Sequence, residues 1–144
     1  MFGVLALGFA TNGRLQAAGP AVTVYKTPTC GCCGIWVKHL RDKGFAVTVH
    51  DVESTDEYSR KLGVPAALHT CHTAIVEGYT IEGHVPVAEI QRLLKERPTA
   101  KGLAVPGMPL GSPGMEAGER RQKYSVLLFQ VDGKTSVYRE YPAK

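Results

Sequence analysis

The residues that decide the fold run from Lys26 to Trp36, Lys-Thr-Pro-Thr-Cys-Gly-Cys-Cys-Gly-Ile-Trp. Immediately before them Ala21-Val22-Thr23-Val24-Tyr25 reads as a buried strand, and residues 26–31 are rich in turn formers. From Cys33 onward Trp36 and Leu40 fall on one helical face, and Gly44 stands where a left-handed glycine closes a helix. Strand, cysteine-bearing turn and helix in that order predict an α/β domain whose chemistry sits where the turn meets the helix.

Further along, Phe45, Val47 and Val49 alternate as a second strand, and residues 55–62 read as a short helix closed by Gly63-Val64-Pro65. Strands are expected at 73–76 and 79–82. Pro86 opens a helix that carries Val87, Ile90, Leu93 and Leu94 on one face. The resulting order, strand-helix-strand-helix-strand-strand-helix, is that of a thioredoxin-like mixed sheet with flanking helices. Residues 98–118 contain nine Gly or Pro among 21, so a long irregular loop is expected there. Asp132-Gly133 between two apolar runs, 124–131 and 135–141, predicts a C-terminal β-hairpin.

With 144 residues, 44% of them apolar and 21% charged, the chain has the make-up of one globular domain, placed here at 21–144. Its net charge of +4 is spread rather than blocked, which argues against nucleic acid as a partner. Residues 2–10 form an apolar run too short to span a bilayer, and small residues at 17–21 follow it. Residues 1–20 are therefore expected to be a signal-peptide remnant, although the basic start is missing; the alternative is a disordered N-terminal extension. Export to the periplasm would expose the thiols to an oxidising compartment unless something occupied them.

Four cysteines are too few for a disulfide scaffold, yet Cys30, Cys32 and Cys33 lie within four positions. Cys30 and Cys33 form a C-x-x-C pair at a helix N-terminus, which lowers a thiol pKa and suits either disulfide exchange or a soft metal. Cys32 tips the balance, because a third thiol interferes with two-thiol exchange but adds a ligand for Cu(I). Cys71 enters the third expected strand and would face the cysteine turn; otherwise it is a small buried hydrophobe or one half of a disulfide. His84, just before a helix, either caps that helix or reaches the metal. His72 and His69 are candidates for outer ligands, whereas His39 and His50 read as surface or edge residues. Met108 and Met115, both in the irregular loop, offer thioethers to Cu(I) or pin the loop by packing.

From about Val22 to Tyr141 the chain resembles the CopG-like periplasmic copper-resistance family, thioredoxin-like proteins long known only as a domain of unknown function. The resemblance is carried by Pro28-Thr29-Cys30-Gly31-Cys32-Cys33 with Trp36 and His39, by Thr70-Cys71-His72-Thr73, by residues 79–86 (YTIEGHVP) and by residues 102–116 (GLAVPGMPLGSPGME). It implies a multinuclear Cu(I) cluster bridged by cysteines, used in storing, passing on or redox-handling copper.

Residue chemistry and resemblance together predict Cys30, Cys32, Cys33, Cys71 and His84 as copper ligands, with His72, Met108 and Met115 as further candidates. Copper chaperones or exporter components are the expected partners. Two other readings stay open: a thiol-disulfide oxidoreductase in which Cys30 attacks and Cys33 resolves, and a structural zinc site.

Overall fold

The computed structural model describes residues 19–144; the expectations placed on residues 1–18 lie outside it. Seven strands form one mixed sheet: β1 (Ala21–Lys26), β2 (Ala46–Asp51), β3 (His72–Val76), β4 (Tyr79–Gly83), β5 (Gly102–Val105), β6 (Tyr124–Phe129) and β7 (Thr135–Tyr141). Their order is β2-β1-β3-β4-β5-β6-β7. β1 runs parallel to β2 and β4 parallel to β5, and the other neighbouring pairs are antiparallel. Helices α1 (Gly31–Asp42), α2 (Thr55–Lys61) and α3 (Val87–Glu96) flank it. The α/β class and the order of elements agree with the thioredoxin-like expectation.

Alternation along the strands sorts side chains onto two faces. Val22 and Val24, Ala74 and Val76, Tyr79 and Ile81, and Leu103 and Val105 point one way, into a core closed by Trp36, Val37 and Leu40 of α1 and by Ile90 and Leu93 of α3. Each such aliphatic or aromatic side chain, when fully buried, contributes about 1.5–3 kcal/mol. The opposite face holds a smaller cluster of Val64, Leu68, Ala104 and Phe129. β4 is buried on both faces, and the site residues follow from its end.

Two boundaries differ from expectation. α1 begins at Gly31, two residues before Cys33, with Cys30 as N-cap. The residues ahead of Cys33 carry no apolar periodicity, so the pattern alone could not extend the helix to its true start. The stretch expected to be irregular contains β5, because Gly102 lies where β4 comes closest: a Cβ on it would sit 1.7 Å from the Thr80 carbonyl oxygen. The glycine that argued against regular structure is what allows this strand to pair. The hairpin forms as expected, with Gly133 at φ 89°. β3 and β4 are joined by a two-residue turn whose Glu77 and Gly78 both have positive φ, 46° and 85°.

Gly102→Ala must push β5 off β4. A loss of about 2–3 kcal/mol in urea unfolding is expected, in the range of severe backbone substitutions; a change under about 0.5 kcal/mol would contradict the close approach.

Candidate metal centre

The site is built at one end of the central strands. β1 ends at Lys26 and the chain turns through Thr27-Pro28-Thr29 into α1, which sets Cys30 at the N-cap and Cys32 and Cys33 in the first turn. No acidic residue occupies that turn and no side chain caps it, so the positive end of the helix dipole lies at the cysteines. The register Thr73↔Glu82, carried two residues outward, sets Cys71 opposite His84. Both then lie beside the α1 turn.

The four sulfurs of Cys30, Cys32, Cys33 and Cys71 all lie within 4.8 Å of one another. Cys30 and Cys33 are joined in a disulfide; Cys32 and Cys71 are free. Cys32 Sγ is 3.5 Å from Cys30 Sγ, and Cys33 Sγ is 3.6 Å from the Cys71 carbonyl oxygen. A second constellation, Cys71, His72 and His84, meets the same 4.8 Å limit. Cys71 Sγ is 3.4 Å from His72 Nδ1 and 3.5 Å from His84 Nε2.

The orientation of His84 follows from its other nitrogen. Nδ1–H donates to the Pro113 carbonyl at 2.7 Å, which leaves the Nε2 lone pair facing Cys71. Pro86, rather than His84, is the N-cap of α3, so the capping alternative does not hold. His72 is fully buried, tilted against Trp36 at 4.4 Å between ring centroids and edge-on to His84 at 4.9 Å. Burial, together with His84, pushes the His72 pKa down to about 3, so its imidazole is neutral. Burial likewise lowers the His84 pKa. The Cys71 thiol is pushed up to about 12, first by burial and then by Cys32.

Behind Cys71 sits a carboxylate to which the sequence reading gave no role. Glu82 is fully buried in β4; it accepts the Thr70 N–H at 2.7 Å, the Thr70 hydroxyl at 3.0 Å and the Ser59 hydroxyl at 3.1 Å. These bonds fix the residue that precedes Cys71. Burial raises the Glu82 pKa, with the Thr70 N–H the largest opposing influence. A carboxylate between Ile81 and Gly83 in a strand buried on both faces was the available sign.

The loop after β5 covers the centre. Gly114 lies against it so closely that a Cβ would be 2.7 Å from the Cys32 carbonyl oxygen and 2.8 Å from His84 Nδ1. Glu116 holds the loop in place, accepting the Gly114 N–H at 2.9 Å and meeting His39 Nε2 on α1 at 2.6 Å. His39, expected to be a surface residue, is thus a tether between α1 and the loop. At the base of the loop, Leu110 and Gln122 exchange hydrogen bonds of 2.8 and 2.9 Å, and the backbones of Arg121 and Lys144 pair. Met108 is 41% exposed and Met115 is half-buried. The loop's contacts described above run through Pro113, Gly114 and Glu116 rather than through either thioether. His69 turns away, with Nε2 3.0 Å from the Val64 carbonyl oxygen, and His50 stacks on Tyr25 at the β2 edge.

Two solved structures are each similar to the chain at 46% identity over 85% of its length. "Copper resistance protein copG- Form 2" matches with a TM-score of 0.81 and 98% of its own chain covered. "Copper resistance protein copG- Form 1" matches with a TM-score of 0.80 and 97% covered. The chain belongs to the CopG copper-resistance family. The family model "Protein of unknown function, DUF411" matches residues 68–115, the CopG segment that contains Cys71, His72, His84 and most of the covering loop. Comparison with curated proteins gave no match. Among the described residues, no helix of this CopG relative is long and apolar enough to cross a membrane.

Two consequences can be measured. Cys71 should alkylate at pH 8 at least about 10-fold more slowly than an exposed cysteine, because burial keeps it a thiol, and its rate should keep rising beyond pH 9. A rate that levels off below pH 8.5, followed by peptide mass spectrometry to separate it from Cys32, would contradict that. Gly114→Ala should lift the loop and increase its proteolytic cleavage while far-UV circular dichroism stays the same; unchanged cleavage would mean that the loop absorbs the methyl group in place.

Proposed function

We propose that the chain binds Cu(I) in a multinuclear thiolate cluster formed by Cys30, Cys32, Cys33 and Cys71 and completed by His84 Nε2. The observation that carries this reading is the convergence of four sulfurs within 4.8 Å, drawn from the α1 turn and from the entry to β3. Thiolate sulfur suits soft and borderline ions, Cu(I) and Zn(II) among them. The names of the two solved relatives make copper the metal of choice.

With the Cys30–Cys33 bond formed, two sulfurs are available as thiolates. Exchange with an external dithiol, which is itself oxidised to a disulfide, opens the bond and leaves two thiols, which lose their protons as the metal enters. Copper uptake is therefore linked both to the redox state of the pair and to pH. Because Cys71 is held protonated, affinity should fall as pH falls. Sequestration, transfer to a copper chaperone or exporter, and redox handling of copper all use this residue set; the names of the two solved relatives support a role in copper resistance, and the apolar run at residues 2–10 supports a place in the periplasm. Met108 and Met115 remain candidates for a supporting role at the loop.

The disulfide itself favours a second reading, thiol-disulfide exchange, in which Cys30 is attacked and Cys33 leaves. One experiment separates the two. Reduced protein is titrated anaerobically with Cu(I) against a strong chelator, with Zn(II) as competitor, for the native chain and for Cys32→Ser. The cluster predicts several tightly held coppers per chain and a lower stoichiometry in Cys32→Ser. Absence of tight copper, with turnover of a disulfide substrate that survives Cys32→Ser and is lost in Cys30→Ser, would establish the oxidoreductase instead.

A further inference from the structure

We propose that the outer edge of β2 pairs antiparallel with β2 of a second copy of this chain, joining the two sheets across a two-fold axis at Val49.

Successive residues of a strand send their N–H and C=O groups to alternate sides. The Ala46 N–H reaches the Pro20 carbonyl at 3.0 Å and the Val52 N–H reaches the Lys26 carbonyl at 2.8 Å, both on the β1 side. Residues 46, 48, 50 and 52 therefore face β1, and Val47, Val49 and Asp51 face outward, where β2 ends the sheet. Among the described residues the N–H groups of Val47, Val49 and Asp51 have no partner. Of their carbonyls only that of Val47 is bound, by the Arg41 guanidinium at 3.1 Å.

A row of unpaired backbone groups is a template for another strand, and proteins ordinarily blunt it. The opposite edge of this sheet is blunted. There the register of β7 against β6 shifts between Val126 and Leu127, and Arg92 binds the Tyr138 carbonyl at 2.7 Å. β2 keeps an unbroken register with β1 from Ala46 to Asp51 and contains no proline, glycine or lysine. Its Val47-Thr48-Val49 run is β-branched throughout, which suits an extended pair.

The edge is also complementary to itself. In an antiparallel pair the groups that face each other meet as hydrogen-bonded residue pairs. With Val49 on the axis, every outward residue finds a partner: Val49 meets Val49 of the second copy, and Val47 meets Asp51 of the second copy. A two-fold centred on Thr48 or on His50 leaves one outward residue of each copy unpaired. The Val49 register matches charge as well. Arg41 stands at the Val47 carbonyl, where Asp51 of the second copy arrives. Asp51 holds Lys26 Nζ through Oδ1 at 2.8 Å, and its Oδ2 has no partner among the described residues. By alternation Val47, Val49 and Asp51 share one face of β2, and Val47 and Val49 pack there against the core that α1, the helix bearing Arg41, helps to close. The Val47 carbonyl has two lone pairs, so it accepts the incoming Asp51 N–H without releasing Arg41. Symmetry makes each of these contacts twice.

β2 runs parallel to β1, towards the end of the sheet that carries the cysteines. An antiparallel junction points the two centres in opposite directions, so each copy keeps its own donor set. The inference therefore stands whether or not the copper reading does.

The test uses the whole chain in EDTA, so that no metal bridges copies, with non-reducing electrophoresis to detect copies joined through a cysteine. Sedimentation equilibrium should show one-chain and two-chain species whose ratio follows concentration. Hydrogen exchange read by NMR locates the contact: the Val47, Val49 and Asp51 amides should exchange at least about 10-fold more slowly in the concentrated sample than in the dilute one. Thr48 and His50, whose amides face β1, should be equally protected in both. Arg41→Glu sets two carboxylates against each other at both ends of the junction and should weaken association by at least about 10-fold, with unchanged far-UV circular dichroism. Arg41→Glu/Asp51→Arg restores opposite charges and should recover the dimer; if either variant misfolds, exchange in the native chain decides. A one-chain species alone up to about 1 mM would overturn the proposal. So would a dimer whose protected amides lie elsewhere, β7 included. Protection of Val47 and Val49 that does not change with concentration would overturn it too, because the edge would then be covered within one chain.

Discussion

The antiparallel register between β3 and β4 is the constraint on which the centre depends. It is set by the tight Glu77-Gly78 turn, where both residues adopt positive φ, and it holds all the way to Thr73↔Glu82. A shift of one residue would reverse the facing of every side chain beyond it. Cys71 would lose His84, Glu82 would enter the apolar core, and the sulfur of β3 would no longer meet those of α1. The metal chemistry at one end of the hairpin is thus fixed by backbone geometry at the other.

Polar groups enforce the same register from within. Glu82 draws the Thr70 N–H and the Ser59 hydroxyl towards β4, tying α2 and the approach to β3 to one strand. On the opposite face the Trp36 indole donates to the Val85 carbonyl at 2.9 Å, which fixes α1 against the end of β4. Cys33, Trp36, His72 and Val85 are fully buried, so this end of the sheet is packed without slack. The cysteines of the α1 turn and Cys71 at the entry to β3 are held by a common set of contacts.

Features carried by neighbouring residues were legible in the sequence. The strand, turn and helix around Cys30, Cys32 and Cys33 could be read from spacing, as could Gly44, the start of α3 and the Asp132-Gly133 hairpin. The convergence of Cys71 with that turn followed from the order of elements. What escaped depended on distant partners. Glu82 is a charged residue in a strand, a pattern that ordinarily points to solvent, and only Ser59 and Thr70 explain its burial. His39 meets Glu116 across 77 positions. β5 was hidden because Gly102 reads as a breaker until the closeness of Thr80 is known. The C-x-x-C spacing did mark Cys30 and Cys33, the two that are bonded.

The covering loop is fixed at its base by Leu110 with Gln122 and by Arg121 with Lys144, and at its tip by Glu116. Its ordering cost is therefore met during folding rather than when an ion arrives. The Pro113 carbonyl already holds His84 in the ligand tautomer, so binding need not freeze a flexible lid. Such preorganisation converts more of each metal–ligand interaction into affinity. It also means that ions enter and leave past a wall that stays in place, which makes the rate of exchange, as much as the strength of binding, a property of this loop.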